Sequence, residues 1–290
     1  MIIRALDTLV FENNGASETS ARMEASTSRA AARLVRLLEV PDSELLADND
    51  PFLAPWRDVA RRFNATATPA QRHRWIDGHR SMLTAVTWER VYVVSNEIPT
   101  LNEYASIRMH TIGVGPVRAA IEFTRCIDVP DEEMYSPVVQ AINEAWGLLA
   151  GWDNDLFSYS RHRMLNGGRE PVLNLVGLLI LTHGYSLQDA FLHAVELRNR
   201  VMRLIVRLRA QIMPLASPDL RAYLTGVVCA IRGSLDWYNQ RQVEGSSSVD
   251  GLDSAPDLEL TVQLTDISAP DADKPIDMPA IAWWWDLLEG

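Results

Sequence analysis

Residues 151–162 read Gly151-Trp152-Asp153-Asn154-Asp155-Leu156-Phe157-Ser158-Tyr159-Ser160-Arg161-His162, and they follow a strongly apolar stretch from Val138 to Leu149. Asn154, Ser158 and His162 recur at i, i+4 and i+8. On an α-helix such positions lie along one face, roughly 6 Å apart per step. A polar row that continues directly from an apolar helix lies at the edge of a core cavity. Side chains in such a row can hold one hard divalent cation, because magnesium takes oxygen ligands in octahedral geometry and shares them with substrate phosphates. The plainer reading is that Asn and Ser on a helix face water or bond locally. Spacing alone does not choose between the two.

The rest of the chain has the same helical rhythm. Apolar residues recur at helical spacing over Ala30 to Leu38, Trp75 to Val94, Pro116 to Cys126, Ser136 to Tyr159, Leu187 to Ile212 and Asp219 to Tyr238. Thr68-Pro69, Thr100 and Ser186 are placed as helix caps, and Ser217-Pro218-Asp219 opens the last long helix. Strand signals are few and there is no internal repeat. The fold class expected is all-α.

Of 290 residues, 47% are hydrophobic, enough for a large helical core. No apolar run reaches bilayer-spanning length. Met1 to Val10 carries Arg4 and Asp7 and does not read as a signal peptide. Cys126 and Cys229 are too few for a disulfide framework and read as small core residues in a reducing, cytoplasmic setting. The formal charge is −11, but Asp250 to Gly290 contributes −9 (ten acidic residues, one lysine), leaving about −2 for the body. A basic nucleic-acid footprint is absent. Gly245-Ser246-Ser247-Ser248 reads as a hinge. The expected organisation is a helical domain over 1–244 and an acidic, mostly disordered tail over 245–290, ending in a loosely attached apolar terminus, Ile281 to Trp285.

Several separate segments resemble bacterial class I terpene synthases. Asn154-Asp155-x-x-Ser158-x-x-Arg161 is similar to the second metal motif of that family, a row of Asn, Ser and Glu with Lys or Arg just before the Glu. Trp88-Glu89, Ile98 to Tyr104 and Arg108-Met109-His110-Thr111-Ile112-Gly113 resemble the stretch around the family's diphosphate-sensing arginine. Arg108 lies 46 residues before Asn154 (154 − 108), a separation similar to the family's. Asn174-Leu175-Val176, Gly184-Tyr185-Ser186-Leu187 with Ala190, and Gly233-Ser234-Leu235-Asp236-Trp237 continue the likeness, which spans about 5 to 242.

The resemblance implies a class I terpenoid synthase-like helical bundle around an apolar cavity. It also implies metal-assisted ionisation and cyclisation of an isoprenyl diphosphate, farnesyl or geranylgeranyl, with magnesium as the cofactor and manganese as its alternative. By the same resemblance, Asn154, Ser158, His162 and Glu12 are the metal candidates, and Arg108, Arg161 and Arg241 hold the diphosphate. Thr111 to Gly113 breaks a helix and aims a carbonyl at the cation. Phe123, Trp146, Trp152 and Trp237 wall the cavity, where aromatic faces stabilise cations; each of them alone reads as plain core. The substrate is the one partner implied, and a homodimer is compatible with the pattern.

The chain also departs from the family. His162 stands where the family has Glu, and imidazole suits softer metals than magnesium. Where the family has an aspartate-rich run, Glu12 and Glu18 are the only carboxylates, with neutral Asn13 and Asn14 between them. Few residues precede Glu12, so the N-terminal helices are expected to be missing. Gln242 replaces the family's Tyr after Arg241. The alternative expectation is therefore a catalytically impaired homologue that binds an isoprenoid or a partner.

Overall fold

A computed structural model describes residues 20–43, 53–243 and 274–288. Every regular element among them is helical: α1 (Ser20–Glu39), α2 (Leu53–Thr66), α3 (Pro69–Ser95), α4 (Leu101–Thr111), α5 (Val114–Arg125), α6 (Asp131–Met134), α7 (Pro137–Leu165), α8 (Leu175–His183), α9 (Leu187–Ile212), α10 (Pro218–Val243) and α11 (Pro279–Ala282), then a 3-10 turn at Trp285–Leu287. The expected caps form. Thr68 and Gln71 make a reciprocal capping box on α3, Thr100 and Glu103 make one on α4, and the Ser186 hydroxyl accepts from the Asp189 N–H on α9. The all-α class read from the sequence holds.

The chain divides into two compact units, 1–97 with 115–128, and 98–114 with 129–290. In the first, Leu34, Leu37 and Leu38 of α1 pack with Leu53, Trp56, Ala60 and Phe63 of α2, Trp75, Met82 and Leu83 of α3, and Ala119 of α5. Phe63 stacks on Trp75 at 4.5 Å and touches Phe123 at 4.8 Å, so Phe123 belongs to this unit's core. Gly78 and Gly115 let two backbones meet: a Cβ on Gly78 would lie 2.5 Å from the Gly115 carbonyl carbon. The Arg74–Glu122 ion pair, at 2.5 Å, is buried on both sides.

The second unit is built on α7. Its apolar face, including Val139, Ile142, Ala145, Trp146, Leu149 and Trp152, is fully buried. Gly147 is required where the helix meets the Met109 carbonyl, since a Cβ there would collide with it.

Two expectations are corrected here. The terminus is not loosely attached. Ile276, Met278, Ile281, Trp284 and Trp285 are buried, and Trp284 is fully so. The Trp284 indole donates to Glu144 of α7 (3.0 Å), the Ala280 N–H to Asn102 of α4 (2.8 Å), and Arg200 of α9 to the carbonyls of Lys274 and Pro275 (2.7 Å each). Apolar burial of this size offsets the cost of ordering a terminal segment. The remainder of the acidic tail, 245–273, lies outside the described residues, as does Glu12. Cys126 and Cys229 are exposed. Cys126 sits in the left-handed turn that ends α5, with φ of 53°, and Cys229 lies on the outer face of α10.

Among the described residues no single helix is long and apolar enough to cross a membrane. Only the bent pair α8–α9 reaches that composition, and much of it is buried core.

His79 supplies a pH test of the first unit. It is 1% exposed between Trp56 and Trp75, and its Nδ1–H donates to the Trp75 carbonyl at 2.8 Å. Burial pushes its imidazole down to about 4, against the opposing pull of that hydrogen bond. The folded state therefore favours neutral His79. Its stabilisation is complete above the unfolded value of 6.5 and is lost as pH falls from there towards 4. We expect roughly 2–3 kcal/mol of stability to disappear between pH 7 and pH 4.5 through this residue. Urea unfolding of His79→Phe should show a pH dependence smaller by that amount; an unchanged slope would contradict it. For the second unit, Trp284→Ala should cost about 3–5 kcal/mol, read as a lower urea midpoint. An unshifted midpoint would mean that the terminal segment is not docked in solution.

Candidate active site

Asp155 is the fixed point of the site. It is completely buried, and a buried carboxylate requires donors on every side. Arg108 Nη2 donates to Oδ1 at 2.9 Å, and the Leu175 N–H at the start of α8 donates to Oδ2 at 3.1 Å. The Tyr104 hydroxyl, one turn before Arg108 on α4, also donates to Oδ2. Asn174, the N-cap of α8, accepts from the Val176 and Gly177 N–H groups and donates its own Nδ2 to the Asp155 backbone carbonyl. Burial pushes the Asp155 carboxyl up, and the Arg108 charge, Tyr104 hydroxyl and Leu175 N–H pull it back.

Arg108 is thereby aimed along the α7 row. Its Nη2 also meets Asn154 Oδ1 at 2.8 Å and the Gly151 carbonyl at 3.2 Å, and its Nη1 reaches the Thr111 hydroxyl at 3.3 Å. The row faces Arg108 and not bulk water. Ser158 is buried, and its hydroxyl donates to the Asn154 carbonyl at 2.6 Å, which leaves its lone pairs as acceptors. His162 follows, half-buried; burial first, then the charges of Arg161 and Arg108, push its imidazole down to about 3. It is neutral and offers nitrogen, not oxygen. Arg161 is exposed. α4 ends at Thr111, Gly113 takes φ of 83°, and α5 starts at Val114, so the helix break read from the sequence is present.

The other residues proposed from the sequence are dispersed. Trp146 and Trp152 are packed into the core of the second unit, and Trp237 is 48% exposed. The Arg241 side chain lies outside the described residues.

Three participants were not assigned from the sequence. Asp153, one residue before the row, forms a buried ion pair with Arg198 of α9 (2.7 Å). Asp155 stands inside the quoted motif, but nothing in the spacing marks it as the partner of Arg108. Tyr238 accepts at its hydroxyl from Asn154 Nδ2 (3.0 Å) and stacks on Phe157 at 4.7 Å. Its signal was the inward stripe Ile231, Leu235, Tyr238 on α10, at spacings of four and three; Trp237 lies off that stripe.

The donor set sets the terms for a metal. Among the described residues no three His, Cys, Asp or Glu side chains converge on one point. Asp153 and Asp155 are committed to arginines. The row offers Asn154 Oδ1, Ser158 Oγ and a neutral imidazole. Such a set fits a divalent cation that completes its shell with diphosphate oxygens and water, and it does not fit one held by the protein alone.

A family model described as terpene synthase family 2, C-terminal metal binding, matches residues 10–203. The chain is 32% identical over 255 residues to a phomopsene synthase of Allokutzneria albata, covering 88% of this chain and 69% of that protein. It is 31% identical over 264 residues to a spiroviolene synthase of Streptomyces violens, covering 90% and 71%. A crystal structure of a mutant of the SVS_A2 protein, from ancestral sequence reconstruction, superposes with a TM-score of 0.77 at 29% identity, over 98% of this chain and 76% of that one.

Gly151 tests the placement of Arg108. A Cβ there would lie 2.8 Å from Arg108 Cγ, and that side chain is anchored at both ends. Gly151→Ala should shift the guanidinium by a few tenths of an ångström. Turnover should fall about 10–100-fold with the helical circular dichroism unchanged. Wild-type turnover in the variant would show that Arg108 is not positioned this way.

Proposed function

The chain belongs to the terpene synthase family, and on that premise we propose that it is a class I terpene cyclase. The substrate is an isoprenyl diphosphate, farnesyl or geranylgeranyl, and the products are a cyclised hydrocarbon skeleton and diphosphate. The observation that carries this reading is the Arg108–Asn154 contact at 2.8 Å. It brings the guanidinium and the polar row of α7 to one place, where an anionic leaving group needs both.

The family implies a divalent metal, and we take it to be magnesium, with manganese as the alternative, bound together with the diphosphate by Asn154, Ser158 and His162. Bound there, such a cation would supply positive charge to offset that of the departing oxygens. Arg108 adds fixed positive charge where negative charge grows, and it needs no reorganisation because Asp155, Asn154 and the Gly151 carbonyl already hold it. No protein nucleophile is required. Arg161 and Arg241 are proposed to close on the same diphosphate, and the Thr111–Gly113 break to present its carbonyl to the cation. The chemistry belongs in the cytoplasm, where isoprenyl diphosphates and free magnesium coexist, and a homodimer is compatible with it.

Purified protein with magnesium should convert farnesyl or geranylgeranyl diphosphate to a hydrocarbon detectable by gas chromatography–mass spectrometry. Arg108→Ala should abolish the product, a loss of about 10²-fold or more. His162→Glu restores an anionic oxygen to the row and should raise turnover severalfold. No product from either substrate, together with no thermal stabilisation by magnesium plus inorganic diphosphate, would overturn the reading.

A further inference from the structure

We infer that Tyr238 is a diphosphate-binding residue of this site, its phenol hydrogen aimed at a phosphate oxygen beside Arg108. The inference rests on the cyclase reading and adds a residue to it.

The Asn154 amide fixes the direction of each hydrogen bond. Arg108 Nη2 can only donate, so the atom it meets at 2.8 Å is the carbonyl Oδ1. The other end of that amide is therefore the NH2 group, and it meets the Tyr238 oxygen at 3.0 Å as donor. Tyr238 accepts there, which leaves its own O–H hydrogen to be given elsewhere. Among the described residues no side chain or carbonyl takes it. Ser158 has likewise turned its hydrogen onto the Asn154 carbonyl. The phenol is thus a donor with no acceptor among the described residues, at the edge of a positively charged group.

The ring is held still. It lies parallel to Phe157, 7° between planes at 4.7 Å, and Trp237 meets it edge-on at 5.0 Å. With the ring clamped, only the O–H torsion is free, so the hydrogen can be directed at little entropic cost. An ordinary phenol carries its proton at neutral pH. A hydrogen bond to a charged acceptor is stronger than one to a neutral group, so a phosphate oxygen beside Arg108 is the acceptor this donor favours. Water gives such a donor a weaker acceptor than a diphosphate oxygen.

The test is calorimetric titration of inorganic diphosphate, with magnesium, into the full-length wild type, Tyr238→Phe and the surface control Tyr185→Phe. Phenylalanine keeps the stack on Phe157 and removes only the oxygen, and circular dichroism verifies that the fold is kept. Tyr238→Phe should bind diphosphate about tenfold more weakly or worse, with Tyr185→Phe within twofold of wild type. A Tyr238→Phe affinity within twofold of an active wild type overturns this inference and leaves the cyclase reading standing. A wild type with no diphosphate affinity and no product overturns both.

Discussion

A carboxylate with no exposed surface needs its charge matched by the protein around it, and Asp155 recruits two other helices to do so. Arg108 and Tyr104 come from α4 and the Leu175 N–H from the start of α8, while Asp155 itself projects from the middle of α7. Taking both ions of such a pair out of water costs several kcal/mol per ion. A pair of apolar residues of the same shape would stabilise the fold as well or better. The pair therefore makes better sense as a device that sets geometry. It locks α4 in one register against α7, and it leaves the second edge of the guanidinium pointed at Asn154.

The geometry around Asn154 follows from that lock. With Arg108 immobile, the Asn154 amide has one permitted orientation, and this determines that Tyr238 is an acceptor towards Asn154. Gly151 keeps the space in which the Arg108 side chain runs, and Gly147 keeps the close approach of α4 that brings it there. Asp153 and Arg198 repeat the device one residue earlier, tying α7 to α9. The terminal segment ties the same three helices from outside, through Asn102, Glu144 and Arg200. The Arg108 end of the α7 row is thus built on stiff elements, as sub-ångström positioning requires.

The long helices were legible because their apolar stripes persist over several turns, and their starts because Thr68, Thr100 and Ser186 carry their own capping chemistry. What was not legible has identifiable causes. α2 went unread because Pro51 and Pro55 look like punctuation, yet Pro55 stands in the first turn, where the missing N–H costs nothing. α8 is apolar on every side, so it has no period to detect. The docking of Trp284 depends on partners some 140 and 178 positions away for the indole and the preceding backbone, a relation no local pattern encodes. In the site, the row Asn154, Ser158 and His162 was visible as spacing, and Arg108 through resemblance. The pairing of Arg108 with Asp155 was not visible, because adjacent residues on a helix point about 100° apart and only the packing decides which one faces α4. Trp237 and Tyr238 part for the same reason: one residue of register on α10 separates a half-exposed ring from one that touches Asn154.

The charge balance of this cradle constrains how it can recognise its ligand. Both aspartates of α7 are neutralised by arginines, and the row beside them carries an amide, a hydroxyl, a neutral imidazole and a phenol. Such a set has little hold on a bare divalent cation, whose dehydration it cannot compensate. It has little hold on a bare diphosphate either, because much of the Arg108 charge is already satisfied by Asp155. A cation and a diphosphate together carry less net charge than the bare diphosphate and bring each other's missing ligands. They need from the protein only directional hydrogen bonds and one fixed guanidinium. Neutral substitutions along the metal row, such as His162 in place of a carboxylate, therefore move selectivity away from free metal and towards the metal–diphosphate pair. That ordering suits the cyclase reading, in which ionisation begins only when both have arrived, and His162→Glu would trade it for a tighter metal.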